Sequence, residues 1–115
     1  MRKDDVTRLR HMLDAAKEAR SFLNGRSRRA LDTDRKLALA LVKDIEIIGE
    51  AASRVSEPAR AEYPAIPWPD IINMRNRLIH AYFDIDLDIV WDTVTKDLPP
   101  FIDALEKVLA SGPES

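Results

Sequence analysis

The chain has no cysteine among its 115 residues. That single absence excludes disulfides, thiolate metal sites and a cysteine nucleophile, and it fits a reducing, cytoplasmic setting. Glycine occurs three times, too seldom for a fold of strands joined by tight turns. No apolar run approaches the roughly 20 residues that span a bilayer. The opening MRKDDVTRLR is charged with no apolar stretch behind it, so neither a membrane contact nor a signal peptide is expected. An excess of positive charge is missing too. The net charge of −2 argues against coating nucleic acid through bulk electrostatics, so any such contact must be local. What remains is 45% apolar and 33% charged residues, the balance of a globular protein, at the length of one domain over residues 1–115.

The apolar residues repeat with helical periodicity. In a first helix Val6, Leu9, Leu13, Ala16 and Leu23 form the stripe, widened by Met12, Ala19 and Phe22. Asp4 and Asp5 are its expected N-terminal caps and favourable charges, and Asn24-Gly25 its end, because both residues tolerate a left-handed cap. A basic connector follows. A second helix carries Leu37, Leu41, Ile45, Ile48, Ala52 and Val55 inward, capped by Asp32 or Thr33. Gly49 inside it costs about 1 kcal/mol relative to alanine, which points to another backbone passing close by. Pro58 is expected to end this helix, leaving residues 57–69, with four prolines, as an irregular loop.

A third helix starts at Pro69-Asp70, buries Ile71, Met74, Leu78 and Ile79, and frays near Phe83. The acids Asp84, Asp86 and Asp88 read as a turn and the cap of a fourth helix. They lack the glycine and terminal glutamate of a calcium loop. In the fourth helix Leu87, Trp91, Val94, Leu98, Phe101, Leu105 and Val108 keep one stripe through Pro99-Pro100, where a kink is expected. The sum is an all-α, antiparallel four-helix bundle with a kinked fourth helix. The second and fourth stripes are broad enough to predict a homodimer.

Chemistry concentrates in RNRLIHAY, residues 75–82. Asn76 and Arg77 stand four and three residues before His80 and would border it on one helix face. Arg75 stands five before, about 140° around a straight helix. Either the helix ends near His80 or a second copy of the chain completes the site. Metal-free RNA cleavage needs a base, an acid and a fixed cation. A two-fold dimer would supply two imidazoles and two guanidiniums. Spacing alone also fits a solvated helix face with one capping histidine. The other histidine, His11, reads as a surface residue. Glu50 with Arg54 reads as a surface ion pair, so Glu46 and Glu50 need not be paired catalytic carboxylates. Arg26, Arg28, Arg29, Arg35 and Lys36 read as a solvated connector rather than an RNA guide. Trp68 and Trp91 read as bundle packing.

The stretch from Trp68 through Met74-Arg75-Asn76-Arg77, His80, Ala81-Tyr82-Phe83, Val90-Trp91 and Leu98-Pro99 resembles the HepT-like family of the HEPN superfamily. Ile48-Gly49-Glu50-Ala51 is similar to a recurrent segment of the same family. The resemblance implies an endoribonuclease toxin encoded beside a minimal nucleotidyltransferase antitoxin. It implies that Arg75 and His80 are catalytic, with Asn76 and Arg77 supporting, and that paired motifs meet across a homodimer cleft. Tyr82 would be the acceptor of AMP, which silences the toxin by placing phosphate charge beside Arg75. RNA is the implied substrate, with no cofactor and no metal. The alternative is a non-enzymatic nucleotide-binding or accessory subunit of the nucleotidyltransferase.

Overall fold

The computed structural model describes residues 1–79 and 84–111. Helix α1, Lys3–Leu23, and helix α3, Arg35–Arg54, are the two long elements. Between them lies one short turn of helix, α2, Ala30–Thr33. Helix α4, Glu57–Glu62, leads to two five-residue helices, α5, Trp68–Ile72, and α6, Met74–Leu78. A last arm runs from α7, Leu87–Asp92, through a π-helical turn, Thr93–Asp97, into α8, Leu98–Ala110. The all-α expectation holds, but the chain is divided more finely than four continuous helices.

Most of each stripe read from the sequence faces the core. The exception is Phe22, 38% exposed, which lies one residue and so about 100° around the helix from the buried Leu23. Leu9, Met12, Leu41, Ile45 and Ile48 are fully buried where α1 packs on α3. Met74, Leu78, Val90, Val94, Leu98 and Leu105 close the core from the other arms. Truncating any of these leucines to alanine removes about 2–5 kcal/mol.

Several ends differ from expectation for identifiable reasons. Helix α1 begins at Lys3 with no side-chain cap. Asp4 and Asp5 lie in its first turn instead, and Asp5 is drawn inward. Its Oδ1 accepts from the Ser56 amide at 2.8 Å and its Oδ2 from the Ser56 hydroxyl at 2.6 Å. Burial pushes the Asp5 carboxyl up, but the two Ser56 hydrogen bonds, with Arg2 and Arg8 nearby, outweigh it and hold the carboxyl below its ordinary value. At the other end Gly25, at φ +74°, takes the left-handed conformation that the Asn24-Gly25 pair foretold. The cap of α3 is Asp34, not Asp32 or Thr33. Its side chain accepts from the Leu37 amide at 3.1 Å, because α2 already occupies residues 30–33.

Residues 57–69 are not wholly irregular. Pro58 sits in the first turn of α4, where a missing amide costs nothing, and Ser56 caps that helix. Likewise Pro99-Pro100 fall in the first turn of α8. The preceding turn is π-helical, with the Leu98 amide donating five residues back to Thr93. The helical ladder therefore widens just before the two missing donors.

Gly49 meets its expected neighbour. A Cβ placed there would stand 3.2 Å from the Ile72 carbonyl oxygen and 3.4 Å from that of Ile71. The C-terminal end of α5 thus lies directly on α3, and this close approach positions everything that follows it.

Candidate active site

Helix α5 stops at Asn73, whose side-chain amide turns back to the Pro69 carbonyl at 2.9 Å. The chain re-enters a helix at Met74, so Arg75 and Asn76 sit in the first turn of α6. Helix α6 lasts only to Leu78. Ile79 is extended, with φ −114° and ψ 119°, and pairs with Ile85 in an antiparallel bridge. The Asp86 amide donates to the Leu78 carbonyl at 2.7 Å. The helical face on which Asn76 and Arg77 were to border His80 is therefore cut short at Leu78. Of the two routes left open by the spacing, the helix does end before His80. His80 and Tyr82 themselves lie outside the described residues.

Arg75 is half-exposed, and its Nε stands 3.1 Å from Glu46 Oε2 in an ion pair across to α3. Nothing in the sequence marks this ion pair, since Glu46 reads there only against Glu50. The linear spacing of Glu46 and Arg75, 29 positions apart in the chain, carries no local signal. The close approach at Gly49, one turn along α3 from Glu46, is what makes the contact possible. Glu50 meets Arg54 at 2.8 Å as a surface pair, as its spacing foretold.

A cleft of about 770 Å³ opens around this pair. Arg75, Asn76 and Ile72 form one wall. The others are single faces of α1 and α3, carrying Arg8 and His11 on one side and Lys43, Glu46 and Arg54 on the other. His11 is thus a surface histidine, as expected, yet it shares a cavity with the motif arginine. Arg77 does not. Two residues on from Arg75 it is turned about 200° around the helix, and it lines a separate hollow of about 330 Å³ with Asp70, Lys96, Asp97 and Phe101. The structure brings Arg75 and Asn76 together and sends Arg77 to another face.

The remaining candidates settle into structural roles. Arg26 pairs with Asp34 at 3.1 Å, and Arg28 bridges Asp32 at 3.1 Å and Asp88 at 2.8 Å. Much of the connector's charge is neutralised in place. Asp86 caps α7 by accepting from the Ile89 amide. Trp68 is buried, its indole shared between the Arg60 and Tyr63 carbonyls at 3.2 Å each. Trp91 is half-buried against the core.

Chemically, a guanidinium with a carboxylate on its Nε side can still turn its terminal N–H groups to an anion. Such a fork suits the paired oxygens of a phosphate. Comparison with known proteins places this arrangement in context. A protein of Thermococcus cleftensis named "Probable ribonuclease HepT" is 39% identical over 75 residues, 65% of this chain and 68% of that one. A protein of Methanocaldococcus jannaschii, provisionally named an RNase, is 32% identical over 108 residues, 94% of this chain and 89% of its own length. A second protein of that organism, named a gamma-glutamylcyclotransferase and, provisionally, an RNase, is 33% identical over 109 residues. That match covers 95% of this chain but only 49% of the larger protein. No solved structure gives a significant match. The family model described as ribonuclease HepT-like matches residues 12–108, a span that takes in α3, the cleft wall at Arg75 and the final arm. On that match the chain belongs to the HepT-like ribonuclease family.

Proposed function

We propose that this protein is a metal-independent endoribonuclease, the toxin of a toxin–antitoxin pair, working as a homodimer in the cytoplasm. The observation that carries the reading is Arg75, held by Glu46 at the wall of an open cleft in a chain of the HepT-like ribonuclease family. The names of the relatives point the same way. In this reading the single domain is a four-helix bundle whose arms are α1, α3, α5–α6 and α7–α8, the last of them bent at the π turn.

Cleavage proceeds by attack of the RNA 2′-hydroxyl on its own neighbouring phosphate. One His80 imidazole removes the hydroxyl proton, and a second, from the symmetry mate, protonates the departing 5′ oxygen. Arg75 stabilises charge gathering on the phosphate oxygens, and Asn76 supports it with an amide donor. Arg77, directed to another hollow, supports the site from outside the cleft. The cognate minimal nucleotidyltransferase silences the toxin by attaching AMP to Tyr82, whose phosphate would then compete for Arg75.

The test is cleavage of RNA by purified, unmodified protein at neutral pH in EDTA. Activity is expected, with losses of about 100-fold or more in His80→Ala and Arg75→Ala. Intact RNA, or equal cutting by His80→Ala, would sink the proposal. Expression of the chain alone should arrest growth, which an accessory subunit would not do.

A further inference from the structure

The cleft beside Arg75 extends well past the motif. On α1 it is lined by Asp4, Arg8 and His11, spaced four and three apart and so on one helix face. On α3 it is lined by Lys43, Glu46, Glu50 and Arg54, at spacings of three, four and four. The charges in this groove do not balance. Four cations, Arg8, Lys43, Arg54 and Arg75, face three acids, Asp4, Glu46 and Glu50, in a chain whose net charge is −2. Two of those acids are already engaged, Glu46 by Arg75 and Glu50 by Arg54. Arg8 and Lys43 have no salt bridge among the described residues, although Arg8 lends its charge to the buried Asp5. Lys43 stands one helical turn from Glu46, and His11 one turn from Arg8.

We propose that this groove between α1 and α3 is the track along which single-stranded RNA reaches Arg75. In it Arg8 and Lys43 hold backbone phosphates and His11 offers its ring to a base. The inference rests on the ribonuclease reading above. Cations without a salt bridge in the same cleft as Arg75 supply the charge complementarity, and the exposed imidazole one turn from Arg8 supplies the stacking surface such sites use. The connector is the rival basic segment. Its Arg26 and Arg28 are already committed to Asp34, Asp32 and Asp88.

The experiment measures binding of a 2′-O-methyl oligonucleotide, which has no attacking hydroxyl and so binds without being cut. Affinity is followed over a range of salt for the full chain, for Arg8→Glu/Lys43→Glu, for His11→Ala, and for a charge-matched control at the connector, Arg29→Glu/Lys36→Glu. All of these side chains lie at the surface, and helical circular dichroism verifies each variant. The groove double variant is expected to lose at least about tenfold in affinity, and its salt slope should flatten by about 1.4 for two lost phosphate contacts. His11→Ala should lose about fivefold or more. The connector variant should bind as the parent does. Equal binding by the groove variant, or an equal loss at the connector, overturns the proposal. So does a loss that light scattering traces to separation of two chains, which would make the groove a subunit contact. Failure of the parent to cut unmethylated RNA would count against the ribonuclease reading, while the binding measurements would still decide the groove.

Discussion

Asp44 is the most unusual single residue outside the cleft. It is 2% exposed in the seam between α1 and α3, and its Oδ2 meets no hydrogen-bond donor among the described residues. Burial, reinforced by a hydrogen bond with Glu18 and by that neighbour's charge, pushes the Asp44 carboxyl up to about 7. Its proton is therefore held more tightly in the folded chain than in the unfolded one, where an aspartate titrates near 3.9. The resulting stabilisation is complete below about pH 4 and is lost as pH rises through about 7. Melting temperature should fall between about pH 4 and about pH 7, and Asp44→Asn should flatten that slope. Parallel pH profiles for the two proteins would show that Asp44 is not the cause. Neither this pair nor Arg75 with Glu46 was legible in the sequence. Each joins two elements whose relative rotation no local spacing specifies. Glu50 with Arg54 was legible, because four residues along one helix fix their own neighbourhood.

At the scale of elements, the long stripes were readable because burial of one helix face leaves a periodic trace. Short elements were not. Pro69, followed by an acid, read correctly as a helix start, but Pro58 and the Pro99-Pro100 pair can each end one helix or begin another, and only the packing decides between them. In this fold all of them lie in first turns. The break at Asn73, which re-aims α6 and with it Arg75, has no glycine or proline of its own to announce it. Gly49 did announce itself, since a costly glycine within a strong stripe implied a close backbone. Gly49→Val should drive a branched side chain against the carbonyls of Ile71 and Ile72. We expect a loss of about 1–3 kcal/mol in denaturant unfolding, and a fall in RNA cleavage beyond what the remaining folded fraction explains. Unchanged stability would mean that α5 can retreat without cost.

The described residues span 47 × 30 × 19 Å. The thinnest dimension admits only two layers of helices, each about 10 Å across. A slab this thin cannot cover every broad stripe, and α3 is left with Leu39 at 45% exposure and Ile47 at 36%. Ile47 borders the cleft and stays with the groove proposed for RNA, so in the proposed homodimer the mate covers Leu39. Leu39→Lys should then shift the protein from dimer to monomer in light scattering, and RNA cleavage should fall with it. A monomeric parent, or a monomeric variant that cuts at the parental rate, would rule out a site shared between copies.

Trp68 stands at the start of α5, buried, with its ring nitrogen spread over two carbonyls. The chain has only one other tryptophan, the half-buried Trp91. A Trp91→Phe protein would carry a single indole, seated at the base of the segment that sets Arg75 against α3. Its fluorescence would report the docking of that wall directly, without a label. Seating of α5 could then be followed in real time while RNA enters and leaves.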